Sequence, residues 1–208
     1  MTTSVIPFDP SKLGAALKRS AAENAPKGSF IKMSKGGVWT HGADETEISD
    51  TDEFLVNPQG VMHGWVCWAD TEAGHQSAKL GEFMAPVTEP APVMPSEIPA
   101  TGAPWAAQLG VHLKSTDGVE LFFATTSYGG KKAVAGLMDL MAAHYSDPKN
   151  FAKPVPVVTL SSEWYKHQKY GKLFNPIITI KRWVAMPASN EKAAAKPALK
   201  APAKKKAK

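Results

Sequence analysis

The sequence predicts a mainly β protein, in which five antiparallel strands form a barrel and one helix lies between the third and fourth strands. Several runs rich in β-branched and aromatic residues, bounded by glycine and proline, indicate the strands. One segment, residues 130–145, has the apolar spacing of an amphipathic helix. Because strands and helices do not alternate along the chain, a doubly wound α/β fold is not expected. The order of elements leaves an α+β sandwich open as the alternative.

The first part of the chain contributes an N-terminal segment and the early strands. In residues 1–27, Ser11 is placed to cap a short helix that ends before Pro26. The acid-rich residues 44–53 are predicted to form a loop. Strands are predicted, in order, on both sides of the glycine pair within residues 28–39, over residues 60–70 and over residues 79–87.

Prolines recur through residues 88–104 and interrupt the strand pattern. Because proline lacks the N–H group that a sheet ladder requires, this segment is predicted to be an extended surface connection. Strong strand signals lie on both sides of it, so the connection belongs to one domain, which is predicted to span residues 28–186.

The second half of the chain contains the clearest hairpin signal. Asp117 and Gly118 form a tight-turn dipeptide between two apolar runs, residues 105–116 and 119–126. After the helix, the last two strands are predicted over residues 154–165 and 172–184.

The predicted helix presents one apolar stripe and ends before Pro148. The stripe consists of Val134, Leu137, Met138, Met141 and Tyr145. A helix between the third and fourth of five antiparallel strands is the arrangement of the OB-fold, which binds single strands and oligosaccharides. The predicted fold class is therefore an OB-fold-like barrel, followed by a tail.

Charge is unevenly distributed along the chain. The tail, residues 187–208, has seven lysines and one glutamate and almost no large apolar residue, so it is predicted to be disordered. Of the 24 basic and 19 acidic residues in the chain, this leaves 17 and 18 for the remainder. Residues 44–53 hold six acids and no base, whereas residues 149–182 hold seven bases and one acid. A basic pole of this kind attracts nucleic acid or an anionic membrane.

The sequence gives no signal for export or membrane insertion. Cys67 is the single cysteine, so no internal disulfide forms, which fits a reducing compartment. No apolar run reaches the ~18 residues expected of a membrane-spanning helix. The N-terminus lacks the pattern of a signal peptide. We therefore expect a cytoplasmic location, in the host cell if the protein is encoded by a phage.

The strongest functional signal lies in residues 161–183, which read SSEWYKHQKYGKLFNPIITIKRW. Binding of a single strand requires positive charge along the phosphates and exposed rings on which bases stack. Both occur together in this segment. The predicted stacking residues are Trp164, Tyr165, Tyr170, Phe174 and Trp183, and the predicted phosphate contacts are Lys114, Lys166, Lys169, Lys172, Lys181 and Arg182.

Strand alternation divides the last strand into two faces. Ile178, Ile180 and Val184 are predicted to face the core, whereas Lys181 and Trp183 are predicted to share the polar face. By the same count Arg182 falls on the aliphatic side, at the rim of the barrel. The alternative is that the rings of this segment are core residues and its lysines are solvated.

Catalytic and metal-binding patterns do not emerge from the sequence. The six histidines are scattered, and the sequence has neither an HExxH motif nor a paired-cysteine motif. The serine pair at residues 161 and 162 does not lie in a GxSxG nucleophile elbow. The sequence therefore predicts a binding protein that is not an enzyme and that requires no metal or cofactor.

The half from Trp105 to Trp183 resembles phage-encoded OB-fold single-stranded DNA-binding proteins. The resemblance lies in the hairpin ending LFFATTSYGG, the helix after it, the strand VPVVTL and the segment YKHQKYGKLFNPIITIKRW. It implies a viral protein that coats single-stranded DNA during phage DNA replication, recombination or repair, with replication or recombination proteins as possible partners.

The tail departs from that resemblance. Many single-stranded DNA-binding proteins end in an acidic tail that recruits partners, whereas this chain ends in KAAAKPALKAPAKKKAK. Lysines there would add phosphate contacts and also bind RNA or duplex DNA. The alternative function is a phage structural or protein-interaction β-barrel module whose lysine tail binds nucleic acid without specificity.

Overall fold

The computed structural model describes residues 29–69, 78–99 and 102–186. The predicted N-terminal segment with its helix, and the predicted disordered tail, lie outside these residues. Within them, the chain forms nine strands and one α-helix, α1, followed by a 3₁₀ turn at Pro148–Asn150. The elements are β1 (Ser29–Met33), β2 (Trp39–His41), β3 (Thr46–Glu47), β4 (Glu53–Trp68), β5 (Lys79–Pro86), β6 (Ala106–Ser115), β7 (Glu120–Thr125), α1 (Tyr128–Tyr145), β8 (Val155–His167) and β9 (Gly171–Val184).

The nine strands form one sheet that curls into an open half-barrel. The strand order is β3-β2-β1-β7-β6-β4-β8-β9, and β5 pairs with β4. Among these pairs, β1 and β7 run parallel and the others antiparallel. The prediction of a mainly β protein with one helix is confirmed.

The sheet has nine strands instead of the predicted five because β1, β2, β3 and β5 also join it. β4 begins at Glu53 and not at the predicted residue 60, and this long strand changes partners along its length. Its register with β6 shifts between Val56 and Val61. Before the shift β4 pairs with β8, and beyond it β4 pairs with β5. A bulge bends a strand in this way and lets one strand serve two parts of a sheet.

The core lies between the inner face of the curled sheet and α1. Ser127 caps the helix, since its Oγ accepts a hydrogen bond of 3.1 Å from the Gly130 amide. The predicted stripe of α1 packs inward, with Val134, Leu137 and Met141 buried. The helix packs mainly against β9 and, to a smaller extent, against β6.

The turn between β1 and β2 is fastened to the middle of the β8–β9 hairpin. The indole Nε1 of Trp39 donates to the Ser161 carbonyl over 2.8 Å, and Ser162 Oγ donates to the Gly37 carbonyl over 2.7 Å. Gly37 has φ +82°, and a Cβ there would lie 2.4 Å from Phe174 Cδ1. Only glycine allows this close approach, which fixes the hairpin against the sheet.

The proline-rich connection is hydrogen-bonded to two tryptophans, Trp65 of β4 and Trp105 just before β6. Trp65 Nε1 donates to the Pro92 carbonyl and Trp105 Nε1 to the Glu97 carbonyl, each over 2.8 Å. Cys67 is buried beneath the same segment. In the part of the chain that the structure describes, no helix is long and apolar enough to cross a bilayer.

Candidate functional site

The candidate site is the end of the β8–β9 hairpin, residues 163–174, which we call the hairpin tip. The two strands pair continuously out to His167 opposite Gly171. The turn is held by His167, whose Nδ1 accepts hydrogen bonds from the amides of Lys169 and Tyr170 over 3.1 and 3.2 Å. Gly171 supplies the left-handed residue of the turn, with φ +74°. The tip is therefore a regular, locally ordered extension of the sheet.

One face of the hairpin tip carries a tryptophan with a lysine above its ring. Trp164 lies opposite Phe174 in the ladder, and Lys166 lies opposite Lys172. The Lys172 ammonium lies 5.3 Å from the Trp164 ring centroid and 4.9 Å from that of Phe174. Trp164 is 59% exposed, whereas Phe174 is half-buried against Gly37. This face presents one free indole next to a positive charge.

The tyrosines form a second group of rings at the tip. The His167 and Tyr170 ring centroids lie 4.9 Å apart, and Tyr165 meets His167 edge-on at 6.4 Å. Tyr165 and Tyr170 are both exposed, and the Lys169 ammonium lies 5.3 Å from the Tyr170 centroid. The tip thus alternates exposed rings with ammonium groups on both of its faces.

A groove of about 490 Å³ separates the hairpin tip from β1, β7 and the start of α1. Tyr165 and Asn175 line one wall, and Lys32 and the exposed Tyr128 line the other. A Cβ on Gly129 would lie 2.4 Å from Asn175 Oδ1, so the walls meet closely at the groove's inner end. Lys32 also forms an exposed ion pair with Glu45. The groove carries tyrosine side chains on both sides and a lysine on one.

Trp183, predicted to share a polar face with Lys181, is instead partly buried and packs against the core. The β8–β9 register shifts between Val157 and Val158, which leaves Lys181 as an extra residue on β9. This bulge reverses the alternation beyond it. The Trp183 ring therefore lies on the inner side, stacked on His144 with centroids 3.5 Å apart. The predicted faces of Trp183 and Val184 are therefore wrong, because a bulge leaves no mark in an alternation count.

The same bulge changes the position of Arg182, which was predicted on the aliphatic side. Arg182 pairs with Val157 and faces away from Ile180. Its guanidinium forms an ion pair with Glu53, and the hydrogen bond from Arg182 lowers the pKa of that carboxyl. Its charge is already neutralised within the molecule. Lys181 remains exposed.

Lys114 is exposed but lies away from the hairpin tip. On β6 it is opposite Leu55, and Leu55 in turn is opposite Val157 at the base of β8. Trp164 lies seven residues further along β8, or ~23 Å of strand. Of the eleven predicted site residues, the structure brings seven together: Trp164, Tyr165, Lys166, Lys169, Tyr170, Lys172 and Phe174.

A row of rings that the sequence did not assign crosses the outer face of β6, β7 and β1. His112 lies opposite Phe122, and Phe122 lies opposite Phe30. His112 stacks on Phe122 with centroids 4.4 Å apart, and Phe30 meets Phe122 edge-on at 6.0 Å. Burial lowers the pKa of His112 and so favours the uncharged ring. The parallel pairing that places Phe30 beside Phe122 has no local signal in the sequence.

Across residues 29–69, 78–99 and 102–186, no group of three or more His, Cys, Asp or Glu side chains is positioned to hold a metal ion. Comparisons with known protein families, with curated proteins and with solved structures gave no match. The function is therefore inferred from the geometry of the site itself.

Proposed function

We propose that the protein binds single-stranded DNA without sequence specificity and coats it during phage DNA replication, recombination or repair. The observation that carries this proposal is the hairpin tip, where the exposed rings of Trp164, Tyr165 and Tyr170 alternate with lysines. Stacking on rings and neutralisation of phosphates are the two interactions that sequence-independent binding of single strands uses. In this proposal the protein acts by binding alone, as a non-enzyme without a cofactor.

The arrangement of Lys172 and Trp164 supports a combined base and phosphate contact. The ammonium lies over the indole, 5.3 Å from its centroid, and the long lysine side chain can move to the edge of the ring when a base stacks there. A base stacked on that indole would bring its own phosphate within reach of the same ammonium. Every base has a π-face, so the contact does not depend on sequence.

We also propose that the half-barrel is related to the OB-fold. If β4, β6, β7, β8 and β9 are taken as the five barrel strands, α1 lies between the third and the fourth of them. The β8–β9 hairpin is then the loop between the fourth and fifth strands, which binds oligonucleotides in OB-folds. In this structure β7 pairs with β1 at the edge where β9 would close a complete barrel.

The lysine tail is proposed to add to this binding. Its seven lysines would contact phosphates of a single strand, RNA or duplex, with strong dependence on salt. Replication or recombination proteins are proposed as partners of the coated strand, in the host cytoplasm.

A second candidate function is a phage structural or protein-interaction module. It is favoured by the proline-rich connection, which exposes Val93, Met94 and Ile98. Exposed apolar side chains close together in sequence are typical of protein-binding surfaces. In this case the tail, rather than the barrel, would hold nucleic acid.

Binding of oligo-dT, oligo-U and duplex DNA by the full chain and by a chain lacking residues 187–208 separates these candidates. The proposed function predicts that the shortened chain still binds oligo-dT more tightly than duplex, and that Trp164→Ala weakens this binding. Phe151→Ala is the matched control, because Phe151 is an exposed ring outside the tip. Loss of all binding on removal of the tail, or equal binding of duplex, would overturn the proposal.

A further inference from the structure

A lysine lies between two exposed rings on the outer surface, away from the hairpin tip. Phe30 belongs to β1, Trp68 ends β4 and Lys79 begins β5. The Lys79 ammonium lies 5.7 Å from the Phe30 ring centroid and 6.0 Å from the Trp68 centroid. Phe30 is 54% exposed, and Trp68 is exposed as well. Two exposed rings from distant parts of the chain therefore lie within about 6 Å of the same ammonium.

The lysine is held there by a polar network anchored in the sheet. Lys79 lies opposite Trp68 in the ladder and forms an ion pair of 2.9 Å with Glu82. The other oxygen of Glu82 accepts a hydrogen bond of 2.6 Å from Gln108 Nε2. Gln108 is only 4% exposed, so the network is fixed at its inner end. This arrangement orients the lysine without bringing the two rings into contact.

The contacts between Lys79 and the rings leave room for a ligand. Both distances lie near the ~6 Å limit for cation–π attraction, where the interaction is weak. A flat aromatic group that enters between Phe30 and Trp68 would meet two ring faces instead of one ammonium. The lysine side chain is long enough to move aside and remain next to the two rings.

We propose that Phe30 and Trp68 form a clamp for one unpaired nucleobase, with Lys79 as the contact for its phosphate. The proposal rests on the proposed function. Base pairs in a duplex are already stacked, so the clamp accepts single strands only. Nucleobases of DNA and RNA share this chemistry.

The clamp and the hairpin tip lie along one surface. Lys32 is two residues from Phe30 on the same face of β1, ~7 Å away along the strand. Lys32 also lines the groove next to Tyr165 of the tip. A strand bound at the tip therefore passes Lys32 before it reaches the clamp. Short oligonucleotides occupy one of the two places, whereas longer ones occupy both.

The test compares the affinity of oligo-dT of increasing length, from about 4 to about 16 nucleotides, for the full-length chain and its variants. Phe30→Leu keeps an apolar side chain but removes the ring, Phe30→Trp restores a ring, and Lys79→Ala removes the charge. The matched controls are Phe151→Leu and Lys149→Ala, both at exposed positions outside the clamp and the hairpin tip. Thermal unfolding of each variant confirms that it is folded.

We expect Phe30→Leu to weaken binding of the longest oligonucleotide by about fivefold or more, because one stacked base is lost. Phe30→Trp should retain binding, and Lys79→Ala should lower the slope of log affinity against log salt by about 0.7. If Phe30→Leu and Lys79→Ala bind oligo-dT of every length as tightly as their controls, while Trp164→Ala weakens binding, the clamp is disproved and the proposed function stands. If the unmodified chain fails to bind oligo-dT, both are disproved.

Discussion

The two ends of the β8–β9 hairpin carry the same kinds of side chain in different surroundings. At the tip, Trp164 is exposed and has the Lys172 ammonium over its ring. At the base, Trp183 stacks on His144 of α1, and Arg182 next to it is paired with Glu53. Both ends combine a tryptophan with neighbouring basic side chains, but of these two tryptophans only Trp164 at the tip is exposed to a ligand.

The difference shows that neighbours from elsewhere in the chain decide the role of each ring. α1 covers the base of the hairpin and leaves the tip uncovered. The bulge at Lys181 turns Trp183 inward, and the carboxylate of Glu53 neutralises Arg182. A sequence segment dense in aromatic and basic residues therefore indicates a binding region, but only some of its side chains are available to a ligand.

The largest expected effect is on stability at the base. Trp183→Ala removes a ring packed against the core and should lower the free energy of unfolding by about 2–4 kcal/mol. Trp164→Ala removes an exposed ring and should change it by less than about 0.5 kcal/mol. Urea unfolding of the two variants measures the contrast. A loss of stability in Trp164→Ala as large as that in Trp183→Ala would show that the tip is also a packed structure.

The next effect is on binding at the tip. Trp164→Ala should weaken oligo-dT binding by roughly 5- to 150-fold, because stacking contributes about 1–3 kcal/mol per base. Fluorescence anisotropy with a labelled oligonucleotide measures the change. Leu140→Ala, an exposed apolar position on α1, is the control. Unchanged affinity in Trp164→Ala would contradict the assignment of the tip as a stacking site.

A smaller effect distinguishes the basic side chains at the two ends of the hairpin. Lys172→Ala should reduce the slope of log affinity against log salt by about 0.7, as expected when one phosphate contact to a single strand is lost. Arg182→Ala should leave this slope unchanged, because its charge is paired with Glu53. A reduced slope in Arg182→Ala and not in Lys172→Ala would reverse the roles of the two ends.

The smallest effect is the pH dependence of the ion pair at the base. Because the hydrogen bond from Arg182 lowers the pKa of Glu53 in the folded protein, the pair stabilises the fold above the pKa of an unfolded glutamate, about 4.3. This contribution is lost as the pH falls through the folded pKa. The difference in unfolding midpoint between the unmodified chain and Glu53→Gln should therefore shrink between about pH 5 and pH 3. A constant difference would show that the pair is not formed in solution.

Local signals in the sequence predicted the elements well. Asp117 and Gly118 indicated the β6–β7 turn, where Gly118 has φ +94°, and the apolar stripe from Val134 to Tyr145 indicated α1. The glycine pair between β1 and β2 and the proline-rich connection also lie where they were predicted. Each of these features depends on residues that are neighbours in the chain, so their pattern is visible in the sequence.

Long-range features were not predicted, for physical reasons. The bulge at Lys181 depends on how β9 fits against β8, and it changes the direction of Trp183. The parallel pairing of β1 with β7 joins Phe30 to Phe122 across more than ninety residues of chain, and no local pattern encodes it. The grouping of Phe30, Trp68 and Lys79 depends on the curl of the whole sheet.

Tryptophan fluorescence during titration with oligo-dT tests the contrast between the two ends of the hairpin most directly. Replacement of Trp164 by phenylalanine should reduce the quenching seen in the unmodified chain, because the indole at the tip stacks with a base. Replacement of Trp183 by phenylalanine should leave the quenching unchanged, because that indole is covered by His144. Quenching that survives Trp164→Phe in full and is lost in Trp183→Phe would contradict the assignment of the hairpin tip as the binding surface.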